Sequence, residues 1–504
     1  MSWDIDYLAI APEIILVVTM LGVLALDLVL PRALKYWTAT LGVIGLTFTA
    51  VPLIMMAVGD TAARTLFDGS YVVDDFALVL KGLFVLAGYI VLLMSVSYVE
   101  SDRYYQGEYY FLLLTSILGS MVMASARDLI VLFVGLEVTT GPLFMLVGWR
   151  KGDLKSNEAS LKYFILGVLS TAILLWGMSM LYGITGAVDF GTIADQVAAI
   201  SSGSIPGAEP LLSLAVIFIV VGFGFKVSAV PFHTWAPDTY QGAPTPITAY
   251  LSVSSKAAGF VGLFVIAYVA LPTAVNIWGP ALWVLAALSM TVGNLSALRQ
   301  DNVVRLLAYS SIAQAGFMLV PFAAAAVTGG TAQLQTGLEA TVVYLLIYAV
   351  MNLGAFTVVM QAARRTGSGE IDGWAGLGRI DPRLGVLTTV FFFSLAGIPP
   401  LAGWFAKFLM FQSAITSGGA GGTWLAVIAA VNAVIAFYYY ARIAKTVWFD
   451  APPDGFVEAT DGPVGSLGLA IAISAVATVL IGFYPPIVTF FAEATRTLIA
   501  VAGG

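Results

Sequence analysis

The feature that most constrains the fold is a succession of apolar runs, each close to the ~20 residues that a helix needs to cross the hydrocarbon core of a bilayer. Short polar loops separate these runs. The whole chain is 60% hydrophobic and only 10% charged, which is not the composition of a water-soluble globule. The sequence therefore predicts an all-α polytopic membrane protein.

We expect about fourteen transmembrane helices. Their predicted bounds are 8–30, 36–58, 75–98, 109–125, 128–148, 158–184, 210–230, 244–270, 277–298, 302–326, 338–362, 384–416, 423–447 and 465–497. The N-terminus MSWDIDYLAIAPE has acids where a secretory signal has a basic region, so we expect the first apolar run to be retained as a helix.

The composition excludes several kinds of site. The absence of cysteine excludes a disulfide framework, a thiolate metal site and an iron–sulfur cluster held by this chain. The stretch GFGF at 222–225 lacks the glycine spacing of a dinucleotide fingerprint and lies inside an apolar run. Most acids behind the net charge of -7 fall in loops, as on a solvated surface. We expect no tightly bound cofactor, no metal and no nucleic-acid partner.

Positive charge is distributed unevenly among the predicted loops. Loops after odd-numbered spans hold fourteen of the 22 basic residues, namely Arg32, Lys35, Arg103, Arg150, Lys151, Lys155, Arg299, Arg305, Arg364, Arg365, Arg379, Arg383, Arg442 and Lys445. Loops after even-numbered spans hold only Arg64 and Arg127, and the C-terminus holds Arg496. Because cytoplasmic loops collect Lys and Arg, this bias supports fourteen spans and predicts both termini on the outer side of the membrane.

Two parts of the chain resemble each other weakly. DLIVLFVGLEVTTGPLFMLV from Asp128 matches DNVVRLLAYSSIAQAGFMLV from Asp301, and AVPFHTW around Pro231 matches GIPPLAGW around Pro399. Repeats of five helices each would be inverted relative to one another, as in many transporters. We predict three N-terminal spans in 1–107, a first repeat in 108–270, an inverted second repeat in 277–447 and a last span in 448–504.

Each predicted repeat contains one helix broken by proline, at Pro231 in the first and at Pro399 and Pro400 in the second. A break frees backbone carbonyls within the membrane, where they need polar partners or water. Matching breaks in two repeats are the best pointer in a sequence to a transport site. We therefore expect functional residues beside both breaks.

Among the charged residues within the predicted spans, six are candidates for function or for a structural role: Glu137, Lys81, Lys162, Lys226, Lys256 and Lys407. A charge at the centre of a membrane helix costs about 2.5–3.5 kcal/mol, so each must be paired, hydrated or turned towards a polar interior. Burial and an approaching carboxylate change the proton affinity of a lysine in opposite directions. A Glu–Lys pair whose distance can change is therefore suited to be a proton gate.

Glu137, with Thr139 and Thr140 after it, is interpreted as a proton carrier or a modulator of a nearby lysine; the alternative is a buried ion pair that fixes helix packing. Lys226 lies just before the first break, and a continuous helix would place His233 two turns further on the same side. We predict that Lys226 binds the proton and that His233 passes it on, although a lone histidine at a membrane boundary is more often a hydrogen-bonded loop residue.

Lys256 and Lys407 are the other two predicted proton sites. Lys256 lies about twelve residues into its predicted span, too deep to extend its ammonium to the membrane surface, and Lys407 follows the second break. Lys162 is only about five residues into its predicted helix, which leaves two interpretations. Its ammonium extends to the cytoplasmic surface, or it takes part in proton transfer. Lys81 is similarly shallow and is interpreted as mostly structural.

The same residues match a known family. Over essentially its whole length the sequence resembles the antiporter-like membrane subunits of respiratory complex I. The segments that carry the resemblance are VGLEV at Glu137, EASLKYFILG at Lys162, FKVSAVPFHTWAPDTYQGAPTPITAYLSVSSKAAG at 225–259, LRQDNVVRLLAYSSIAQAGFML at 298–319 and FSLAGIPPLAGWFAKF at 393–408. The long block at 225–259 is very specific.

The resemblance implies a charged axis of Glu137, Lys226, Lys256 and Lys407 in a proton-translocating module of NADH:quinone oxidoreductase. It implies that NADH, FMN, iron–sulfur clusters and quinone are handled by other subunits. The implied partners are the antiporter-like neighbour M, the small subunits K, J, A and H, and the lipid of the bacterial cytoplasmic (inner) membrane. Ser310 stands where a second-repeat counterpart of Glu137 would be, so an acid that acts on Lys407 must come from elsewhere.

Two other functions remain open at the level of the sequence. A subunit of a multi-subunit cation/proton antiporter would share many of these residues, and gene neighbourhood would separate it from complex I. A scaffold subunit, whose charges only lock helices together, would tolerate charge-conserving swaps.

Overall fold

The structure, a computed structural model, describes residues 6–31, 34–59, 62–100, 107–452 and 465–501. Arg32 and Arg103, two of the predicted basic loop residues, lie outside these ranges. A hairpin of β1 (Arg64–Leu66) and β2 (Tyr71–Val73) follows the first two helices. The helices are α1 (Tyr7–Val29), α2 (Tyr36–Val58), α3 (Asp75–Glu100), α4 (Glu108–Ser125), α5 (Leu129–Val147), α6 (Leu154–Thr185), α7 (Phe190–Ser201), α8 (Glu209–Lys226), α9 (Trp235–Gly242), α10 (Thr245–Tyr250), α11 (Lys256–Val265), α12 (Val275–Ala297), α13 (Val303–Thr328), α14 (Thr331–Thr366), α15 (Leu377–Ile380), α16 (Pro382–Ala396), α17 (Ala402–Ser417), α18 (Gly419–Phe449), α19 (Gly465–Phe483), α20 (Pro486–Ala494) and α21 (Thr497–Val501).

The described part of the chain contains thirteen helices long and apolar enough to cross a membrane. One of them, Thr245–Ala270, runs continuously through α10, a π-helical turn, α11 and a second π-helical turn. The remaining predicted span, 384–416, consists of two shorter helices, α16 and α17. The expected all-α polytopic membrane architecture is confirmed.

The chain leaves the helical conformation at the first predicted break. Helix α8 ends at Lys226, Ser228 takes a positive φ of 59°, and the helix resumes only at Trp235. The predicted span 210–230 is therefore too long. The non-helical segment 227–234 separates Lys226 from His233, so the two residues do not lie on one side of a continuous helix.

The second break lies between α16 and α17. Helix α16 ends at Ala396, and Gly397 takes the left-handed conformation with a φ of 89°. Helix α17 starts tightly against the end of α16, since a Cβ on Gly403 would lie 1.8 Å from the carbonyl oxygen of Ser394. Glycine at this position lets the two half-helices overlap.

Other predicted bounds also change, and one helix was not predicted. Helix α6 begins at Leu154, where Asp153 caps it, so Lys162 lies deeper in the helix than expected. Helix α19 ends at Phe483 because prolines follow, and the predicted span 465–497 is too long. Helix α7 was not predicted; it is a short helix between two spans that buries one apolar face.

The interior of the bundle surrounds the helix Thr245–Ala270. Every residue of this helix from Pro246 to Ala270 is buried, and α13 and α14 beside it are almost as well covered. Helices α1 and α6, in contrast, expose large apolar side chains such as Val18, Leu21 and Phe164, as expected of a surface in contact with lipid. Lys256 therefore lies in the enclosed interior of the bundle.

Candidate functional site

Glu137 and Lys226 approach each other where α5, α6 and the end of α8 meet. The Lys226 ammonium lies 3.9 Å from Glu137 Oε1. Thr171 of α6 donates a hydrogen bond of 3.0 Å to the same carboxylate oxygen and accepts one of 3.4 Å from Lys226, which also donates to Thr140 at 3.5 Å. The lysine and the carboxylate are thus joined both directly and through a threonine hydroxyl.

The two partners differ in exposure. Lys226 is buried, with 5% of its surface exposed, whereas 37% of the Glu137 side chain is open on the outer face of the bundle. The same face of α5 carries the exposed Ile130 and Val134. The carboxylate therefore lies at a boundary that a neighbouring polypeptide or lipid must cover.

Lys256 is enclosed in the middle of its helix. Its ammonium donates to the carbonyl oxygen of Ser311 on α13 at 2.5 Å and to the Ser311 hydroxyl at 2.6 Å. That hydroxyl lies 3.4 Å from the Tyr240 hydroxyl. The side chain is 1% exposed and does not extend to the membrane surface, in agreement with the depth inferred from the sequence.

Lys407 caps the broken helix. Its ammonium donates a hydrogen bond of 2.6 Å to the carbonyl of Ala396, the last residue of α16, and lies 5.1 Å from the centre of the Phe317 ring. The break therefore supplies the acceptor that this buried lysine needs.

A polar cluster of Ser310, Gln314, Tyr344 and Tyr440 lies between these two lysines along α13. Ser310 and Tyr440 share a hydrogen bond of 2.5 Å, and Tyr344 donates to the Gln314 side-chain oxygen at 2.6 Å. The Gln314 side-chain nitrogen donates to Tyr440 at 3.3 Å and to the carbonyl of Leu395, next to the acceptor of Lys407, at 3.1 Å. Sequence reasoning missed this cluster; the polar residues at 310, 311 and 314 within an apolar span were the available signal.

Lys162 lies apart from the buried lysines. Its ammonium is 2.7 Å from Glu158 and 2.7 Å from Asp238, and Asp238 also lies 2.8 Å from Arg305. The Lys162 side chain is 42% exposed. The structure places it in a surface ion cluster rather than beside Lys226.

His233 lies in the broken segment and is partly exposed. Among the described residues no hydrogen bond or ion pair connects its side chain to Lys226 or to another lysine, and its Nδ1 atom has no partner. The structure therefore does not bring His233 into contact with the lysines, and its relay role stays a prediction.

Lys81 forms a separate buried group with residues that the sequence did not single out. Its ammonium lies 2.9 Å from Glu13 of α1, donates to the Tyr71 hydroxyl at 3.0 Å and stands 4.9 Å from the centre of the Tyr71 ring. Glu13 lies near the N-terminal end of the first predicted span, and the sequence analysis did not consider it. This group fastens α1 and β2 to α3.

An ion pair and a backbone hydrogen bond beside the β1–β2 hairpin position the start of the helix that carries Glu137. Arg127 pairs with the buried Asp74 at 2.7 Å, and the backbone nitrogen of Arg127 donates to the carbonyl of Ser70 in the hairpin loop. The next residue, Asp128, caps α5 by accepting from the first backbone nitrogens of that helix. The hairpin and α3 thus fix the start of α5.

The chain matches known proteins along its length. The model of the family described as "NADH:quinone oxidoreductase/Mrp antiporter, TM" matches residues 126–436. NADH-quinone oxidoreductase subunit N of Trichlorobacter lovleyi is 39% identical over 494 residues, which cover 97% of each chain. Subunit N of Moorella thermoacetica is 39% identical over 484 residues, which cover 95% of this chain and 96% of the relative.

Among solved structures, a chain of respiratory complex I from Thermus thermophilus superimposes with a TM-score of 0.76 at 32% identity, covering 96% of this chain and 99% of the other. A chain of the Mrp complex from Dietzia superimposes with a TM-score of 0.82 at 19% identity, covering 98% of both chains. At that identity the second likeness concerns the fold alone.

Proposed function

Because the chain belongs to the NADH:quinone oxidoreductase/Mrp antiporter family of membrane subunits, we infer that it is a subunit N of NADH:quinone oxidoreductase, complex I. In this role it is a proton-translocating part of the membrane arm. It acts as a subunit of a translocase, and the redox chemistry takes place elsewhere in the complex.

The observation that carries this proposal is the placement of three buried lysines and one carboxylate among polar side chains. Lys226 contacts Glu137, while Lys256 and Lys407 have no carboxylate within 4 Å among the described residues. Charged side chains inside a membrane are rare; they pair with one another or with backbone carbonyls, and they mark ion and proton pathways. We assign proton transfer to Glu137, Lys226, Lys256 and Lys407.

The contact between Glu137 and Lys226 is suited to be the controlling step. At 3.9 Å the attraction between the two charges is on the order of 4 kcal/mol for an effective dielectric constant near 20. Doubling the separation would halve this energy, a change of about 2 kcal/mol that alters a protonation equilibrium by more than tenfold. A displacement that moves Glu137 about 4 Å further from Lys226 therefore changes how readily Lys226 loses its proton.

In this proposal the proton then passes from Lys226 towards Lys256 and Lys407. The Lys256 ammonium contacts Ser311, and the polar cluster continues from the neighbouring Ser310 to the carbonyl beside the acceptor of Lys407. Hydroxyl and amide groups both donate and accept, so they can support proton movement together with water. Lys162 and His233 are secondary candidates for proton transfer, because neither contacts the buried lysines or the polar cluster.

The exposed Glu137 indicates where a partner binds. We propose that the face of α5 and α6 around Glu137 contacts another membrane subunit of the complex, which drives the movement of α5. The candidate partners are the antiporter-like neighbour M and the small subunits K, J, A and H. The remaining apolar surface, such as that of α1, contacts lipid.

The electron carriers lie in partner subunits under this proposal. NADH, FMN, iron–sulfur clusters and quinone would be bound there, and this chain would couple to them mechanically. The location would be the bacterial cytoplasmic membrane, with both termini on the outer side. The two inverted repeats, 108–270 and 277–447, would each supply one broken helix, with Lys226 and Lys407 beside the breaks.

The second candidate is a subunit of a multi-subunit cation/proton antiporter. The family description names both classes. The relatives at 39% identity that carry the subunit N name favour complex I.

The test is redox-driven proton pumping in membrane vesicles with Lys226→Ala. We expect pumping and quinone reduction to fall severely in assembled complex. Lys445→Ala is the matched control, since that exposed lysine pairs with Asp450 at the end of α18 and lies far from Lys226 in the sequence. Normal pumping by assembled Lys226→Ala enzyme would contradict the assignment.

A further inference from the structure

Thr171 of α6 uses its hydroxyl differently from the threonines around it. A threonine in a membrane helix usually donates its hydroxyl hydrogen to a carbonyl of its own helix. The other three threonines of α5 and α6 do so, since Thr139, Thr140 and Thr185 each donate to the carbonyl oxygen four residues earlier. Thr171 donates instead to Oε1 of Glu137, at 3.0 Å. A hydrogen that its own helix could accept is thus given to a carboxylate on another helix.

The ion pair beside this hydroxyl is longer than the other pairs that lysine forms. Among the described residues, the other lysine–carboxylate contacts have N···O distances of 2.7–2.9 Å, in pairs formed by Lys35, Lys81, Lys162 and Lys445. The distance from the Lys226 ammonium to Glu137 Oε1 is 3.9 Å. The two charges therefore attract each other without the direct contact that the other pairs make.

Lys226 is also held more loosely than the other two lysines of the axis. Its ammonium donates to the hydroxyl of Thr171 at 3.4 Å and to that of Thr140 at 3.5 Å. The ammonium groups of Lys256 and Lys407, in contrast, donate to oxygens at 2.5–2.6 Å. Because hydrogen bonds from nitrogen to oxygen are usually about 2.7–3.2 Å long, both contacts of Lys226 are weak.

The Thr171 hydroxyl accounts for the length of the pair. It accepts a hydrogen bond from the ammonium and donates one to the carboxylate oxygen that faces this ammonium. Hydrogen bonds to charged groups are strong, so the hydroxyl partly satisfies both charges. Lys226 is only 5% exposed, and solvent does not take this place at the ammonium. The carboxylate can therefore be stabilised without moving into contact with Lys226.

We propose that Thr171 is a positioning residue that holds Glu137 and Lys226 far enough apart for the pair to open. This inference rests on the proposed function and assigns the ease of opening to a side chain of α6. When Glu137 moves away, the Thr171 hydroxyl turns to the carbonyl of Gly167, four residues earlier on its own helix, as Thr139 does on α5. The hydroxyl then has a hydrogen bond in both positions, so opening leaves no buried donor without a partner.

The size of the effect follows from the distance. Without the hydroxyl, we expect the pair to contract to the 2.8 Å of the Lys35 and Lys445 pairs. At an effective dielectric constant near 20, contraction from 3.9 Å to that length favours the closed pair by roughly tenfold or more. A turnover that requires the pair to open slows by a similar factor.

The test removes the hydroxyl while keeping the size of the side chain. In the intact complex, we expect Thr171→Val to reduce quinone reduction and pumping per assembled enzyme by about tenfold. The KM for NADH should not change, because NADH binds to a partner subunit under the proposed function. Thr171→Ser keeps the hydroxyl and should keep most of the wild-type rate. Thr47→Val is the matched control, since Thr47 of α2 is exposed and donates to its own helix.

A double variant tests whether Thr171 acts through the ion pair. Glu137→Gln removes the charge that Lys226 attracts, so this enzyme has no pair to tighten. Adding Thr171→Val to Glu137→Gln should therefore leave the rate of quinone reduction equal to that of Glu137→Gln alone. A role of Thr171 in packing would instead lower the rate or the assembled amount in both backgrounds.

Three results would each overturn the proposal. They are wild-type turnover by Thr171→Val, equal losses in Thr171→Val and Thr171→Ser, and a further loss when Thr171→Val is added to Glu137→Gln. If Thr171→Val assembles poorly, Thr171→Ala removes the same hydroxyl and is judged by the same criteria. Failure of the proposed function is distinguishable, since Lys226→Ala enzyme would then pump normally. If Lys226→Ala stops pumping and Thr171→Val does not slow it, only the positioning role is wrong.

Discussion

Lys81 provides the sharpest test of whether a buried lysine in this chain is structural. Its ammonium is fully buried and contacts only Glu13 and Tyr71 among the described polar side chains. The perturbation is a series of three variants: Lys81→Met alone, Lys81→Met with Glu13→Met, and both of these with Tyr71→Phe. Methionine has a similar volume to each residue it replaces and removes the charge.

The expected magnitudes follow from what each variant leaves without a partner. Lys81→Met strands the Glu13 carboxylate in an apolar interior, a change that costs about 3–5 kcal/mol. The double variant removes both charges but leaves the Tyr71 hydroxyl unpaired, which costs about 1–3 kcal/mol. The triple variant leaves no buried polar group from this set, and its stability should lie close to that of the wild type.

The assay has two readouts. The first is the thermal midpoint of the purified complex together with the amount of this subunit that assembles, which should rank single, double, triple and wild type in increasing order. The second is proton pumping per electron in the assembled triple variant, which should be normal. Lys445→Met, a surface substitution, controls for the loss of one lysine.

Two outcomes would refute the reasoning. A triple variant as unstable as Lys81→Met would mean that the charges are not the source of the loss. A triple variant that assembles well but does not pump would mean that Lys81 takes part in proton transfer, and the structural interpretation would be wrong.

Three further perturbations test the lysine axis and its scaffold. Glu137→Gln removes an attraction of about 4 kcal/mol on Lys226 and should lower the number of protons pumped per electron, with Glu137→Asp intermediate; equal pumping by all three enzymes would contradict the gate. Asp238→Asn removes the carboxylate that Lys162 and Arg305 share, and because both basic side chains are partly exposed we expect little change in thermal midpoint or pumping. A tenfold loss of pumping would show that this surface cluster takes part in proton transfer. Gly403→Ala places a Cβ 1.8 Å from the Ser394 carbonyl and should greatly reduce assembly, whereas Gly183→Ala, with open space around it, should assemble normally.

Hydropathy and proline were sufficient to predict most of the helical architecture. A span must hold about 20 apolar residues whatever surrounds it, so the number of long helices is visible in the sequence. The two broken helices were also predictable, because proline cannot donate a backbone hydrogen bond within a helix. The errors lie at the ends, as where α8 stops at Lys226 and α19 stops at Phe483.

The sequence identified the lysines but only part of their surroundings. A charged residue is easy to recognise in an apolar run. Lys226, Lys256 and Lys407 could therefore be identified from the free-energy cost of placing a charge within the membrane. The role of Thr171, whose hydroxyl joins Glu137 to Lys226, could not be predicted from the sequence. The reason is that a threonine in a membrane helix usually bonds to the backbone of its own helix.

The tertiary structure alone decided which buried groups meet. Lys256 and Ser311 are 55 positions apart in the chain, and Ser310 and Tyr440 are 130 apart. In an interior that is apolar on every side, hydrophobic periodicity does not tell which face of a helix turns to which neighbour, and that orientation is set by packing. The sequence by itself therefore determined that the chain spans a membrane and carries charges there at a cost. Only the packing of the helices decided that Lys256 contacts Ser311 of α13 and that Lys407 contacts the end of α16, while Lys81 pairs with Glu13 and Lys162 joins an ion cluster at the surface.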